Sequence, residues 1–339
     1  MSNYIFNRIQ EIQAQNGFSG TVLVKEEKET LAEISCGYAN RSEKIKNSSF
    51  TRFGIASGCK LFTAIAICQL VENGKLSFDT KLQDCLDFSF PNFDTSISIH
   101  HLLTHTSGIP DYFDEELMDD FEELWIKNPM YRIRTLEDFL PLFQYNSMKL
   151  KVSERFHYNN AGYILLVLIV EKASNLNFSD YIHEYIFKKA EMDESGFFEF
   201  DCLPPKTALG YIDYTNGSWK KNIYSLPVKG GSDGGAYITV KDIDKFWNAL
   251  IINQLLGEIY TEKLLTPYVK TNEDGGFYGY GVWIEKNNNS IQKYHIMGYD
   301  PGVSFHSAFY SETEHKLVVC SNKSEGAYDI MEEIEKEIL

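Results

Sequence analysis

Short runs in which apolar and polar residues alternate sit at the two ends of this chain, and a helical period dominates its middle. Near the start, "FSGTVLVKEE" and "TLAEISCGYA" have strand character. Near the finish, "GYGVWIEK", "IQKYHIM", "VSFHSAFYS" and "HKLVVCSN" repeat it, with turn-rich "KNNNS" between the first two. A sheet must therefore join both ends of the chain. Ile5, Ile9 and Ile12 form a helical stripe that stops at Asn16-Gly17, and the final "YDIMEEIEKEIL" is a second amphipathic helix, expected beside the first on the sheet. From about Cys59 to Ala190 the pattern is helical with loops, as in "TLEDFLPLFQ" and "AGYILLVLIVEKAS". The predicted fold is α+β: an antiparallel sheet built from both chain ends, flanked by terminal helices, with an inserted, mostly helical lobe. We assign 1–339 to a single domain, with an α/β lobe from about 1–58 and 225–339 and a helical lobe from about 59–224.

Composition narrows the function classes. Lys+Arg 32 against Asp+Glu 48 gives a net charge of −16, which disfavours phosphate backbones and anionic lipid as partners. No nucleic-acid partner is expected on that ground. No segment reaches the roughly 18 apolar residues needed to span a bilayer, and the first twenty residues lack the basic and apolar regions of a secretory signal. Cys36, Cys59, Cys68, Cys85, Cys202 and Cys320 are scattered without C-x-x-C pairs, so reduced thiols and a cytoplasmic address are expected.

Within "FGIASGCKLFTAIAICQLVENGKL" an apolar run turns into a buried helix at Ser57-Gly58-Cys59-Lys60, and Gly74 ends it. Residues three apart on a helix lie about 60° apart around the axis and roughly 4.5 Å along it. Ser57 and Lys60 therefore share a face. A hydroxyl at a helix N-terminus sits where unpaired N–H groups favour negative charge. A lysine one turn deeper can hold or relay its proton. The pair is a candidate nucleophile and base.

The chain resembles the serine beta-lactamase-like family, the branch with class C beta-lactamases, D-alanyl-D-alanine carboxypeptidases and related esterases. The resemblance rests on "FGIASGCKLFTAIAICQLVENGKLSFDTKL", "ISIHHLLTHTSGIPDY", "ERFHYNNAGYILLVLIVEKAS" and "GGSDGGAYITVKDIDKFWNAL", in that order, and runs from "FSGTVLV" to "VVCSN". It implies that Tyr158, as a phenolate or through a proton shared with Lys60, serves as base for Ser57. It also implies that Asn160 hydrogen-bonds Lys60 and the substrate's amide.

The third motif of that family, Lys-Thr-Gly or His-x-Gly, is altered in "KYHIMGYDPGVSF", where two residues separate His295 from Gly298. If "GYDPG" holds the register, Ile296 lines the pocket and His295 points to the opposite face of the strand. If a bulge forms, His295 reaches the cleft as a substrate-binding group. The first register is favoured. Backbone N–H groups of Ser57 and of a residue near Gly298 or Tyr299 are the expected oxyanion donors.

The expected activity is that of a serine hydrolase acting through an acyl-enzyme on an ester, amide, D-amino-acid peptide or beta-lactam, with a small-molecule or short-peptide substrate. No cofactor or metal is expected. The alternative is a low-turnover penicillin-binding or sensing protein with the same fold. His100, His101 and His105 lack a carboxylate at metal spacing, so no zinc site is read there. The glycines of "KGGSDGGAY" are expected to let backbone pass close to the site. The acidic "DYFDEELMDDFEELW" is expected to edge the cleft, with Tyr112, Phe113 and Trp125 as possible substrate contacts.

Overall fold

The computed structural model describes residues 2–231, 234–271, 275–287 and 290–338. Ser232 and Asp233 of "KGGSDGGAY" and two asparagines of "KNNNS" lie outside the described residues.

Helix α1 (Ser2–Asn16) leads into strands β1 (Gly20–Glu26) and β2 (Glu29–Cys36). Later the chain contributes β3 (Val269–Lys270), β4 (Gly276–Tyr278), β5 (Trp283–Asn287), β6 (Ser290–Asp300), β7 (Val303–Tyr310) and β8 (His315–Ser321). They form one eight-stranded sheet in the order β3-β4-β5-β6-β7-β8-β1-β2. The sheet is antiparallel throughout, and β1 joins the two chain ends by pairing with β8 from Gly20↔Ser321 to Glu26↔His315.

Strand alternation gives this sheet two apolar faces. On one face Val22, Val24, Leu317 and Val319 pack with Ile5, Ile9 and Ile12 of α1 and with Ile330 and Ile334 of the C-terminal helix (Ala327–Ile338). Arg8 reaches across to Glu333 at 2.8 Å, tying the two terminal helices together. On the other face Leu23, Val318, Ile284, Ile296 and Phe305 join the core of the helical region.

That region centres on α2 (Lys60–Glu72) and α3 (Asn160–Ser174), whose apolar residues are buried on every side, as a helix inside a large core requires. Helix α4 (Val240–Ile251) packs against β8 and β1, with Phe246 edge-on to Phe62 of α2 at 5.0 Å, and the C-terminal helix is α5. Asn73 caps α2 and Gly74 follows in the left-handed region at φ 69°. A single 3-10 turn, Ala56–Cys59, precedes α2 and carries Ser57. Ala56 within it is buried at φ 43°, a conformation disfavoured for a residue with a Cβ and held here by its surroundings.

The histidines set aside as zinc ligands are engaged separately. His100 Nδ1 lies 2.9 Å from the Tyr280 hydroxyl, His101 pairs with Ser98 at the start of a helical turn, and His105 is enclosed by Phe156, Tyr158, Tyr163 and Tyr278.

Candidate active site

Ser57 stands at the end of a cavity of about 850 Å³ between the helical region and the end of β6. Lys60, one turn on, is almost completely buried, at 1% exposure. Its Nζ donates to Ser57 Oγ at 2.9 Å and to Asn160 Oδ1 at 2.9 Å. The shared face predicted from the three-residue spacing thus places an amine on the hydroxyl.

Tyr158 precedes α3, where Asn159 acts as N-cap and accepts from Gly162 N at 2.7 Å. The Tyr158 hydroxyl is hydrogen-bonded to the Ser57 side chain, and Lys60 Nζ lies 4.8 Å from the centre of its ring. Burial pushes the phenol well above its ordinary value, and the negative charge of Glu115 pushes the same way. In this enclosure the neutral phenol is favoured over the charged form, so of the two expected forms the surroundings suit a proton shared with Lys60 better than a resting phenolate.

Asn160 bonds Lys60 as expected, but its Nδ2 is directed to Asp111 Oδ2 at 3.4 Å and to Phe113 O at 3.3 Å. Asn160 also lines the cavity. Asp111 sits at the N-terminus of α3 and accepts from Asn160 N at 2.7 Å and Ala161 N at 2.9 Å. Burial outweighs the backbone donors and the charge of Lys60, and its carboxyl is pushed up to about 7.

Backbone contact joins this cluster to the sheet. A Cβ placed on Gly298 would lie 2.1 Å from Ile55 O and 2.7 Å from Ser57 N, so only glycine lets β6 pass this close to the Ser57 turn.

Among acidic and histidine side chains, Asp114, Glu116 and His157 offer ligand atoms within 4.8 Å of one another. Lys149 Nζ occupies their centre, 2.9 Å from Glu116 Oε2 and 2.9 Å from His157 Nε2, where a metal cation would otherwise sit. The arrangement around Ser57 has the parts that acyl transfer needs: a hydroxyl, an amine and a phenol in contact with it, and a roomy apolar cavity.

A model of the family described as Beta-lactamase matches residues 5–335. The chain belongs to the Beta-lactamase family. Penicillin-binding protein 4* of Bacillus subtilis (strain 168) is 30% identical over 324 residues, covering 91% of this chain and 69% of that protein. The crystal structure of a penicillin binding protein from Bacillus halodurans is 59% identical with a TM-score of 0.92, over 97% of this chain and 99% of that one. A D-amino acid amidase from Ochrobactrum anthropi SV3 is similar in fold alone, with 20% identity, a TM-score of 0.79 and coverage of 98% and 99%.

Within this Beta-lactamase-family fold, the third motif follows the favoured register at His295, which lies on the strand face opposite Ile296, and departs from it at Ile296. Ile296, expected to line the pocket, is 2% exposed and packs into the core beside Phe305. His295, offered as a substrate-binding residue, does not line the cavity. It shares its strand face with Lys293, whose Nζ reaches Glu335 on α5 at 2.6 Å, and its own Nε2 lies 3.3 Å from Glu285. Burial and the charge of Lys293 hold its imidazole well below the ordinary value, so it is neutral there. Met297, Gly298 and Tyr299 line the cavity instead. The Tyr299 hydroxyl is hydrogen-bonded to His306 Nε2.

Tyr112 and Phe113 line the cavity as expected, together with Glu115, Asp119, Asp120 and Glu122 from the acidic segment. Trp125 does not: it is buried, and its indole N–H donates to Ser225 O at 2.9 Å. Trp283, Phe198, Phe200 and Tyr237 complete an aromatic lining that sequence patterning missed. Trp283 stacks on Tyr158 with ring centres 6.0 Å apart. Its place at the start of β5, two residues after Gly281, was the available signal.

Proposed function

We propose that the protein is a serine hydrolase that acts through an acyl-enzyme on neutral esters or amides with a bulky apolar acyl group. The observation that carries this reading is Lys60 Nζ at 2.9 Å from both Ser57 Oγ and Asn160 Oδ1, at the end of an aromatic-lined cavity. Ser57 Oγ attacks the carbonyl carbon, and the proton it loses passes to the Lys60–Tyr158 pair. The pair returns that proton to the leaving oxygen or nitrogen as the carbon–heteroatom bond breaks. Water then attacks the Ser57 ester by the same route and frees the acid. Gly298 brings the β6 backbone against the Ser57 turn, where N–H donors can meet the developing oxyanion.

Substrate preference follows from the lining. Glu115, Asp119 and Asp120 edge the cavity, Met297 adds an apolar wall, and the lining cation Lys220 is paired with Glu122 at 2.7 Å, so carboxylate-bearing substrates are disfavoured. The names of the relatives favour a second reading, a penicillin-binding protein that is acylated and turns over slowly. Steady turnover of p-nitrophenyl esters, abolished in Ser57→Ala, is the result expected of the hydrolase. A burst of one equivalent followed by a stall favours the second reading, and turnover unchanged in Ser57→Ala refutes both.

A further inference from the structure

The loop from His105 to Asp111 supports the segment that carries Tyr158 and Asn160. His105 Nδ1 accepts from Asn159 N at 3.0 Å, and Ile109 O accepts from Asn159 Nδ2 at 2.9 Å. Asp111 then takes the backbone N–H groups of Asn160 and Ala161. Those contacts cap α3, which is a structural task. The side chain of Asn160 gives Asp111 a second one.

A side-chain amide has one end that only accepts and one that only donates, and its neighbours decide which way round it sits. On one side of the Asn160 amide lies Lys60 Nζ at 2.9 Å, a donor to the amide oxygen. On the other side lie two acceptors, Asp111 Oδ2 at 3.4 Å and Phe113 O at 3.3 Å. Turned by 180°, the amide would set its NH2 against Lys60 and its oxygen against a carboxylate.

We propose that Asp111 is a positioning residue for the acyl transfer: its carboxylate fixes the Asn160 amide with the oxygen toward Lys60, and so keeps Lys60 aimed at Ser57. The inference rests on the hydrolase reading and deepens it. Asp111→Asn is the informative change because it keeps the shape while turning one carboxylate oxygen into a donor. An NH2 at that position faces the N–H groups of Asn160, which removes the preference that orients the amide.

The test is the second-order rate at which a fluorophosphonate labels Ser57 in the wild type, Asp111→Asn, Asn160→Ala and the double variant, located by peptide mass. Thermal melting of each is followed by circular dichroism. Asp111→Asn is expected to slow labelling by roughly 10- to 100-fold, the scale of a misplaced catalytic group. In the Asn160→Ala background the same substitution should change the rate by less than about threefold, because the group through which Asp111 acts is gone.

Equal fold-losses in both backgrounds would reduce Asp111 to a helix cap and overturn the proposal. Labelling of Asp111→Asn at the wild-type rate overturns it too and leaves the hydrolase reading standing. A wild type that takes no label at Ser57 overturns the hydrolase reading and the positioning role together. Should Asp111→Asn fold poorly, Asp111→Ser, which removes the carboxylate without adding a misdirected donor, carries the same cycle with the same outcomes.

Discussion

Tyr158 and Met297 meet the same cavity with opposite chemistry, one supplying a polar atom to Ser57 and the other an apolar wall. If Tyr158 belongs to the proton relay, Tyr158→Phe should lower ester turnover by about 10²- to 10⁴-fold, the range for loss of a general acid–base group, with the fold intact by circular dichroism. Met297→Lys adds a cation to the cavity wall beside Gly298 without disturbing the core. It should raise kcat/KM for a carboxylate-bearing beta-lactam relative to a neutral ester by about tenfold or more, about 1.4 kcal/mol of transition-state preference. An unchanged ratio of the two specificity constants would show that Met297 does not face the substrate's acid group. Ser57, Lys60 and Asn160 are legible in the sequence because a three-residue spacing on a helix and a cap-plus-one position are local facts. Ile296 and Met297 are not, because which of two neighbours meets the cavity depends on how the strand end is set against a turn far away in the chain. Trp283 escapes notice for the same reason. The acidic run around Glu115 shows where the edge lies, yet nothing local says that Trp125 turns inward to Ser225.

At the level of elements, the contact between β6 and the 3-10 turn before α2 is the tightest constraint on the site. Gly298→Ala would force a methyl to within 2.1 Å of Ile55 O, so the strand or the turn must move. Loss of ester turnover by more than about 10²-fold is expected, since displacements near 1 Å carry that cost. Gly54→Ala is the control: Gly54 does not line the cavity, its Cβ would meet nothing nearer than Val303 Cγ2 at 3.5 Å, and activity within about twofold of wild type is expected. Comparable losses from both substitutions would mean that the close approach at Gly298 is not what shapes the site. The amphipathic terminal helices and the alternating strands are readable from period alone. The 3-10 geometry of Ala56–Cys59 is not, because the left-handed Ala56 exists only under the pressure of packed neighbours.

Across the whole molecule, burial of neutral histidines makes stability sensitive to acid. His105, His295 and His306 are all held below the ordinary imidazole value by burial, His306 down to about 3. An unfolded histidine takes up its proton near pH 6.5 whereas these do not, so the unfolded state binds more protons as pH falls below that point. Their stabilisation is whole above pH 6.5 and is eroded on acidification by up to about 1.4 kcal/mol per pH unit per histidine, down to the folded value. The melting temperature should therefore drop steadily from pH 7 to pH 4.5, with a shallower slope in His306→Gln. A flat profile over that window would contradict the buried neutral state. The sheet that houses His295 and His306 was predictable as a union of both chain ends, since strand patterns occur at those ends and few lie between.

That union sets a schedule. Ser57 and Lys60 leave the ribosome early, but α2, buried on every side in the finished protein, waits for its core partners. The Gly298 strand, which closes the oxyanion side of the site, is made much later, and β8, the neighbour β1 needs, later still. The site is thus assembled from segments far apart in the chain, and its oxyanion side is the last part to be made.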